Sequence, residues 1–135
     1  MKDEHRELLE EQLLENTAGA RRVLVVDDHA SFRRCARAFL TAEGFEVVGE
    51  AGDGASAVSL AAELEPDLLV LDVQLPDIDG FEVASRVLAH DPDLAIVLVS
   101  SRGAGEYGPL IERSGARGFL SKDELSAARI QELIG

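Results

Sequence analysis

Leu68-Leu69-Val70-Leu71-Asp72 runs directly into Val73-Gln74-Leu75-Pro76-Asp77-Ile78-Asp79-Gly80. Four apolar residues lead into one acid. A short unbroken apolar run bounded by turn formers is the signature of a strand buried on both faces. Pro66 and Asp67 bound it before, and Pro76 to Gly80 bound it after. Asp72 therefore stands at the C-terminal end of a central strand. Open parallel sheets bind their ligands outside that edge, so Asp72 is the leading candidate for chemistry.

Outward from this strand the chain alternates. Val23-Leu24-Val25-Val26 ends in Asp27-Asp28 and reads as the first strand. Phe32, Cys35, Ala36, Phe39 and Leu40 recur at helical spacing and place the first helix at about Ser31 to Ala42, stopped by Gly44. Cys35 falls on that stripe, which predicts a buried core thiol. Phe45 to Ala51 forms the second strand, and Ala55 to Leu64 the second helix, ended by Pro66. Asp79 or Gly80 opens a third helix with Phe81, Val83, Ala84, Val87 and Leu88 on its apolar face, stopped by Asp91-Pro92-Asp93. Leu94 to Val99 is the fourth strand, ending in Ser100-Ser101. Gly118 to Ser121 is a short fifth strand ending at Lys122, and Leu125 to Ile134 is the last helix, with Asp123 expected as its cap. This pattern predicts an α/β fold: a doubly wound five-stranded parallel sheet of strand order 2-1-3-4-5, flavodoxin-like, with helices on both faces.

That order brings the ends of the first and third strands together, and with them Asp27, Asp28 and Asp72. Ser100 and Lys122 end strands on the same edge. Three carboxylates within hydrogen-bonding range repel, and one binds a proton unless a cation is present. A hard divalent ion, Mg²⁺ or Mn²⁺, removes that penalty and bridges carboxylates to phosphate oxygens. The roles then divide. Asp72 attacks phosphorus to form an aspartyl phosphate. Asp28 and Asp72 hold the metal, and Asp27 holds it through water or orients it. Lys122 neutralises the transferred group, and the Ser100 hydroxyl bonds to it.

Asp27-Asp28 after an apolar strand, Asp72 followed by Leu75, Pro76, Asp79 and Gly80, Ser100 after the fourth strand, and Lys122 after Phe119 together resemble the receiver domain of bacterial two-component response regulators. The resemblance covers residues 21 to 134. Asp27-Asp28-His29, Gly115 to Phe119 and Lys122-Asp123 look most like receivers that precede LuxR-type DNA-binding domains. The resemblance implies a phosphohistidine donor on a sensor histidine kinase or phosphotransfer protein. It adds the Gln74 backbone carbonyl to the metal ligands. It also implies a switch, in which phosphorylation draws Ser100 and Phe119 inward and changes the face made by the fourth helix, fifth strand and fifth helix.

The sequence departs from the family's pattern in places. Ser stands at position 100 where many receivers have Thr, and Phe at 119 where many have Tyr, so a switch at Phe119 works by packing alone. Asp123 follows Lys122 where many receivers have proline, so the family's cis-proline bond is not expected. Gln74 and Arg102 occupy the two places that tune phosphoryl lifetime in this family.

Other features bound the reading. The 135 residues are 46% hydrophobic, enough for one domain with a real core, and the net charge of −13 argues against binding nucleic acid or an anionic membrane through the bare surface. One cysteine gives no internal disulfide and suits a reducing cytosol, and no stretch is long and apolar enough to span a bilayer. A cytoplasmic location is expected. Residues 1 to 20 read as a separate extension and linker preceding a receiver domain at 21 to 135. Within it, Leu8, Leu9, Leu13 and Leu14 form two apolar pairs one turn apart, which can dock on the domain, fray, or pair with a second copy as a homodimer.

His5, His29 and His90 lack metal-ligand spacing. Ser101 to Pro109 contains Gly103, Gly105 and Gly108, which predicts a short, late fourth helix with Pro109 at its first position and an unusually mobile face. Gly103 to Gly108 also spells GxGxxG, but roughly 30 residues remain, too few for a dinucleotide-binding half-sheet. Two function classes survive: a phosphorylation-controlled receiver, and a receiver-fold interaction module that works without phosphorylation. The receiver is not an enzyme beyond its own phosphorylation and dephosphorylation. Its output is a downstream protein target or an output domain outside this chain.

Overall fold

The computed structural model describes residues 20–135. The leucine-rich stretch near the N-terminus lies outside the described residues. In chain order the elements are β1 (Arg22–Val26), α1 (Ala30–Ala42), β2 (Glu46–Ala51), α2 (Gly54–Leu64), β3 (Leu68–Asp72), α3 (Gly80–His90), β4 (Ala95–Ser100), a 3₁₀ turn (Ala104–Glu106), α4 (Leu110–Arg113), β5 (Gly118–Ser121), a second 3₁₀ turn (Lys122–Glu124) and α5 (Ala127–Ile134). The five strands form one sheet of order β2-β1-β3-β4-β5, all pairs parallel, as the alternation predicts.

The period-two alternation of strand side chains divides the core into two layers. Leu24, Val26, Leu69, Leu71, Ile96 and Leu98 pack with Val83, Ala84 and Val87 of α3 and with Ala57 of α2. Val23, Val25, Leu68, Val70, Val97 and Val99 face the other way and pack with Ala36 and Leu40 of α1 and Ile130 of α5. Every residue of β3 is buried, because it has a strand on each side and helices on both faces. Each such fully buried Leu or Val contributes about 1.5–3 kcal/mol.

Caps place the helices. The Asp53 carboxylate accepts from Ser56 N and starts α2; the Asp79 carboxylate accepts from Glu82 N and starts α3. The last helix corrects the sequence reading. It begins at Ala127, and its cap is Ser126, whose hydroxyl accepts from Arg129 N, rather than Asp123. Lys122 to Glu124 instead form a 3₁₀ turn, with the Ser121 hydroxyl bonded to Glu124 at 2.8 Å. That turn needs Asp123 outside the helix. Cys35 is a second correction, for it is exposed. The buried line of α1 runs through Ala36 and Leu40, with Phe32 and Phe39 partly buried beside it, and Cys35 lies past its edge. The late, short fourth helix is as expected, although Pro109 is its cap and Leu110 its first residue.

Candidate functional site

Register sets the site. Val26 pairs with Leu71 between β1 and β3, so the next residues, Asp27 and Asp72, lie side by side at the carboxyl edge. Asp72 pairs with Val99 on β4, which puts Ser100 one residue further along the same edge. Ser100 pairs with Ser121 on β5, and Lys122 follows. Asp27, Asp72 and Ser100 are the buried polar residues among those described.

The structure brings the acids together. Asp27, Asp28, Asp72 and His29 each offer one ligand atom, and these atoms all lie within 4.8 Å of one another. Lys122 Nζ lies 2.7 Å from Asp27 Oδ2 and 3.4 Å from Asp72 Oδ2. Its ammonium also sits 4.6 Å from the centroid of the Phe32 ring on α1, so a cation–π contact anchors it from the side. The Lys122–Asp27 contact is close, yet Asp27 Oδ2 has no hydrogen bond of proper direction. The attraction there is that of an ion pair, and a buried carboxylate oxygen is left under-satisfied.

The charges explain the protonation. Burial pushes the Asp72 carboxyl up from 3.8 to about 6, against the lowering effect of the Gln74 N–H, which donates to its Oδ1 at 3.0 Å. The charge of Asp27 raises it further and that of Lys122 opposes the rise. For Lys122, burial alone would lower the ammonium, but the Asp27 and Asp72 carboxylates outweigh it and hold it above its ordinary value. The cluster holds three carboxylates and one lysine, so it has an excess of negative charge on hard oxygen donors. That donor set, with the under-satisfied Asp27 Oδ2, fits a divalent cation such as Mg²⁺.

The supporting backbone is tight. Gly80 N donates to Val73 O at 2.7 Å, closing the loop after Asp72. A Cβ on Gly80 would stand 2.5 Å from the Asp72 carbonyl oxygen and 2.8 Å from Val73 Cα, so only glycine permits this approach. The Asp77 carboxylate accepts from Gly54 N and Ala55 N, which ties the same loop to the start of α2 and holds its carboxyl down at about 2.

Other predicted residues lie around this core. Gln74 is exposed at the rim. Phe119 is partly buried on β5 and packs against Tyr107, ring centroids 5.8 Å apart. The Arg102 side chain turns outward to Glu106 at 3.5 Å, and only its backbone N–H reaches the site, donating to Ser100 Oγ.

Two contacts lie beyond what spacing along the chain shows. His29 lacks metal-ligand spacing, yet its Nδ1 lies 3.1 Å from Asp27 Oδ1 and 2.9 Å from Asp28 Oδ1. Tyr107, read only as part of the GxGxxG stretch, has its hydroxyl 2.7 Å from Ser100 Oγ. The available signal was its rarity: it is the one tyrosine of the chain, set among glycines.

Residues 23–134 match the response regulator receiver domain. The chain belongs to this family. As a receiver it is a module of two-component signalling. It is 34% identical over 114 residues to the response regulator GacA of Pseudomonas aeruginosa, a match covering 84% of this chain and 51% of GacA. The receiver domain of the NarL regulator of Mycobacterium tuberculosis superposes with a TM-score of 0.72 at 34% identity, covering 85% of this chain and 90% of that one. A CheX–CheY complex of Borrelia burgdorferi, described with BeF₃ and Mg²⁺, superposes with a TM-score of 0.77 at 26% identity, covering 87% and 89%. The receiver spans about half the length of the first curated relatives it matches. No helix among the described residues is long and apolar enough to cross a membrane.

Proposed function

We propose that this receiver accepts a phosphoryl group on Asp72 from a phosphohistidine of a sensor histidine kinase or phosphotransfer protein. The observation that carries this reading is the buried Asp72 carboxyl, raised to about 6 and contacted by the Lys122 ammonium beside two further acids. An Asp72 carboxylate oxygen attacks phosphorus and a P–O bond forms. The P–N bond of the donor breaks, and its imidazole nitrogen keeps the electron pair and takes a proton from water. Lys122 neutralises charge on the transferred group, and the Ser100 hydroxyl donates to one of its oxygens. Asp28, Asp72 and the Gln74 backbone carbonyl would hold Mg²⁺ or Mn²⁺, with Asp27 orienting it through water. The ion supplies positive charge to the phosphoryl oxygens.

Gln74 and Arg102 tune the lifetime of the phosphoryl group. The output is a change in the α4–β5–α5 face, where Phe119 moves with Ser100, read by a protein target or an output domain beyond this chain. The acidic surface, net charge −13, disfavours direct binding of nucleic acid by this chain.

The test is direct. Incubation with Mg²⁺ and acetyl phosphate should add one phosphoryl mass to the intact chain, and Asp72→Asn should abolish the gain completely. A wild-type chain that gains no mass under these conditions would instead be an interaction module that works without phosphorylation.

A further inference from the structure

Ser100 is the hydroxyl that the phosphoacceptor reading needs at the phosphoryl group, and it is already engaged elsewhere. It is fully buried. Its Oγ accepts from Arg102 N at 3.0 Å and lies 2.7 Å from the Tyr107 hydroxyl. Among the described residues neither of its bonds goes to Asp72 or Lys122. The hydroxyl is therefore engaged by the segment after β4.

Tyr107 is well placed to hold it there. Its ring packs edge-on to Phe81 of α3, centroids 5.6 Å apart, and tilted against Phe119 of β5 at 5.8 Å. It also forms one wall of a surface groove of about 450 Å³ shared with Leu75, Phe81 and Leu110. The backbone around it has open space beside it. A Cβ on Gly103, Gly105 or Gly108 would meet nothing within 4 Å, and Gly108 takes a left-handed φ of 53°.

We propose that Tyr107 is a gate on the phosphoacceptor site: its hydroxyl occupies Ser100 in the unphosphorylated chain and is released when Ser100 turns to a phosphoryl oxygen on Asp72. The proposal rests on the phosphoacceptor reading above. A serine hydroxyl has one hydrogen and two lone pairs, and Arg102 N–H takes one lone pair. With Ser100 donating its single hydrogen to Tyr107, a bond to an anionic phosphoryl oxygen, roughly twice as strong as a neutral one, takes that hydrogen and displaces the bond to Tyr107. The ring, wedged between Phe81 and Phe119, cannot follow Ser100 inward without leaving that wedge. Loss of the bond thus frees Tyr107 to move and reshapes the groove it lines. Tyr107 is a positioning residue: it acts on the reaction through Ser100.

The chain has one tyrosine and no tryptophan, so its intrinsic fluorescence reports Tyr107 alone. Acrylamide quenching of the full chain should rise when Mg²⁺ and beryllofluoride are added. Ser100→Ala should raise it without either. Tyr107→Phe should take up phosphoryl mass from acetyl phosphate about two- to tenfold faster than wild type, the equilibrium weight of one neutral hydrogen bond. If wild type gains no mass, the phosphoacceptor reading fails and the gate with it. If the mass gain is normal but neither beryllofluoride nor Ser100→Ala alters quenching, the gate alone is overturned. A slower Tyr107→Phe would also overturn it, since Tyr107 would then be relaying a hydrogen bond to Ser100 while Ser100 donates to the phosphoryl group.

Discussion

All five residues of β3 and four of the five of β1 are buried, and Asp27 and Asp72 are buried with them. Across the same edge of the sheet, from Ser101 through Phe119, not one residue is buried. There α4 has only four residues, and Leu110 at its start is 48% exposed. The two regions meet at Ser100. One side holds Asp27 and Asp72 on strands packed closely on both faces. The other is thin, rich in glycine, and anchored by an aromatic trio of Phe81, Tyr107 and Phe119. A signalling domain gains from this division. The frame that binds the chemical group stays still, and the few kilocalories that a new contact supplies can reorganise the weaker half.

The sharpest way to break the contrast is to disturb the rigid half. Gly80→Ala forces a Cβ against the Asp72 carbonyl, and we expect a loss of about 2–3 kcal/mol in denaturant unfolding together with impaired phosphoryl uptake. Asp72→Asn acts oppositely on stability. The folded chain binds the Asp72 proton more tightly than the unfolded chain, so the stability this group confers is present below 3.8 and is lost as pH rises through about 6. With divalent ions chelated, the Asn variant should therefore be about 1–3 kcal/mol more stable than wild type at neutral pH, and the difference should close in acid.

The same proton competes with a cation. Mg²⁺ affinity followed by calorimetry should be flat at neutral pH and fall by up to about tenfold per unit below about 6. The smallest effect lies in the thin half. Gly105→Ala meets open space and should be neutral or stabilise by about 0.4–1 kcal/mol. Hydrogen exchange reads the contrast without mutation: amides of residues 102 to 110 should exchange far faster than those of β1 and β3, and strong protection across 102 to 110 would remove the distinction between the two halves.

Much of the frame was legible because strands carry their information in order. A short apolar run between turn formers reads as a strand buried on both faces, and the acid at its end then stands at the carboxyl edge. That rule puts Asp27, Asp28, Asp72, Ser100 and Lys122 at one edge, and the register places them there. The misreadings fall where direction matters more than spacing. Cys35 shares the periodicity of α1 yet faces solvent, since a helix buries only the arc it presents to the sheet. Asp123 has the chemistry of a cap, but the turn after Lys122 moved the cap to Ser126.

By itself, the sequence determined the alternation of strands and helices, the strand ends, and hence which charged groups share one edge; period and punctuation are local properties of a chain. Only the tertiary structure decided that His29 leans onto the acids, that Lys122 rests on Phe32, and that the Tyr107 hydroxyl bonds to Ser100. Those contacts join side chains from irregular segments to other elements. Their directions are set by how the helices and loops pack against the sheet, and no spacing along the chain encodes that packing.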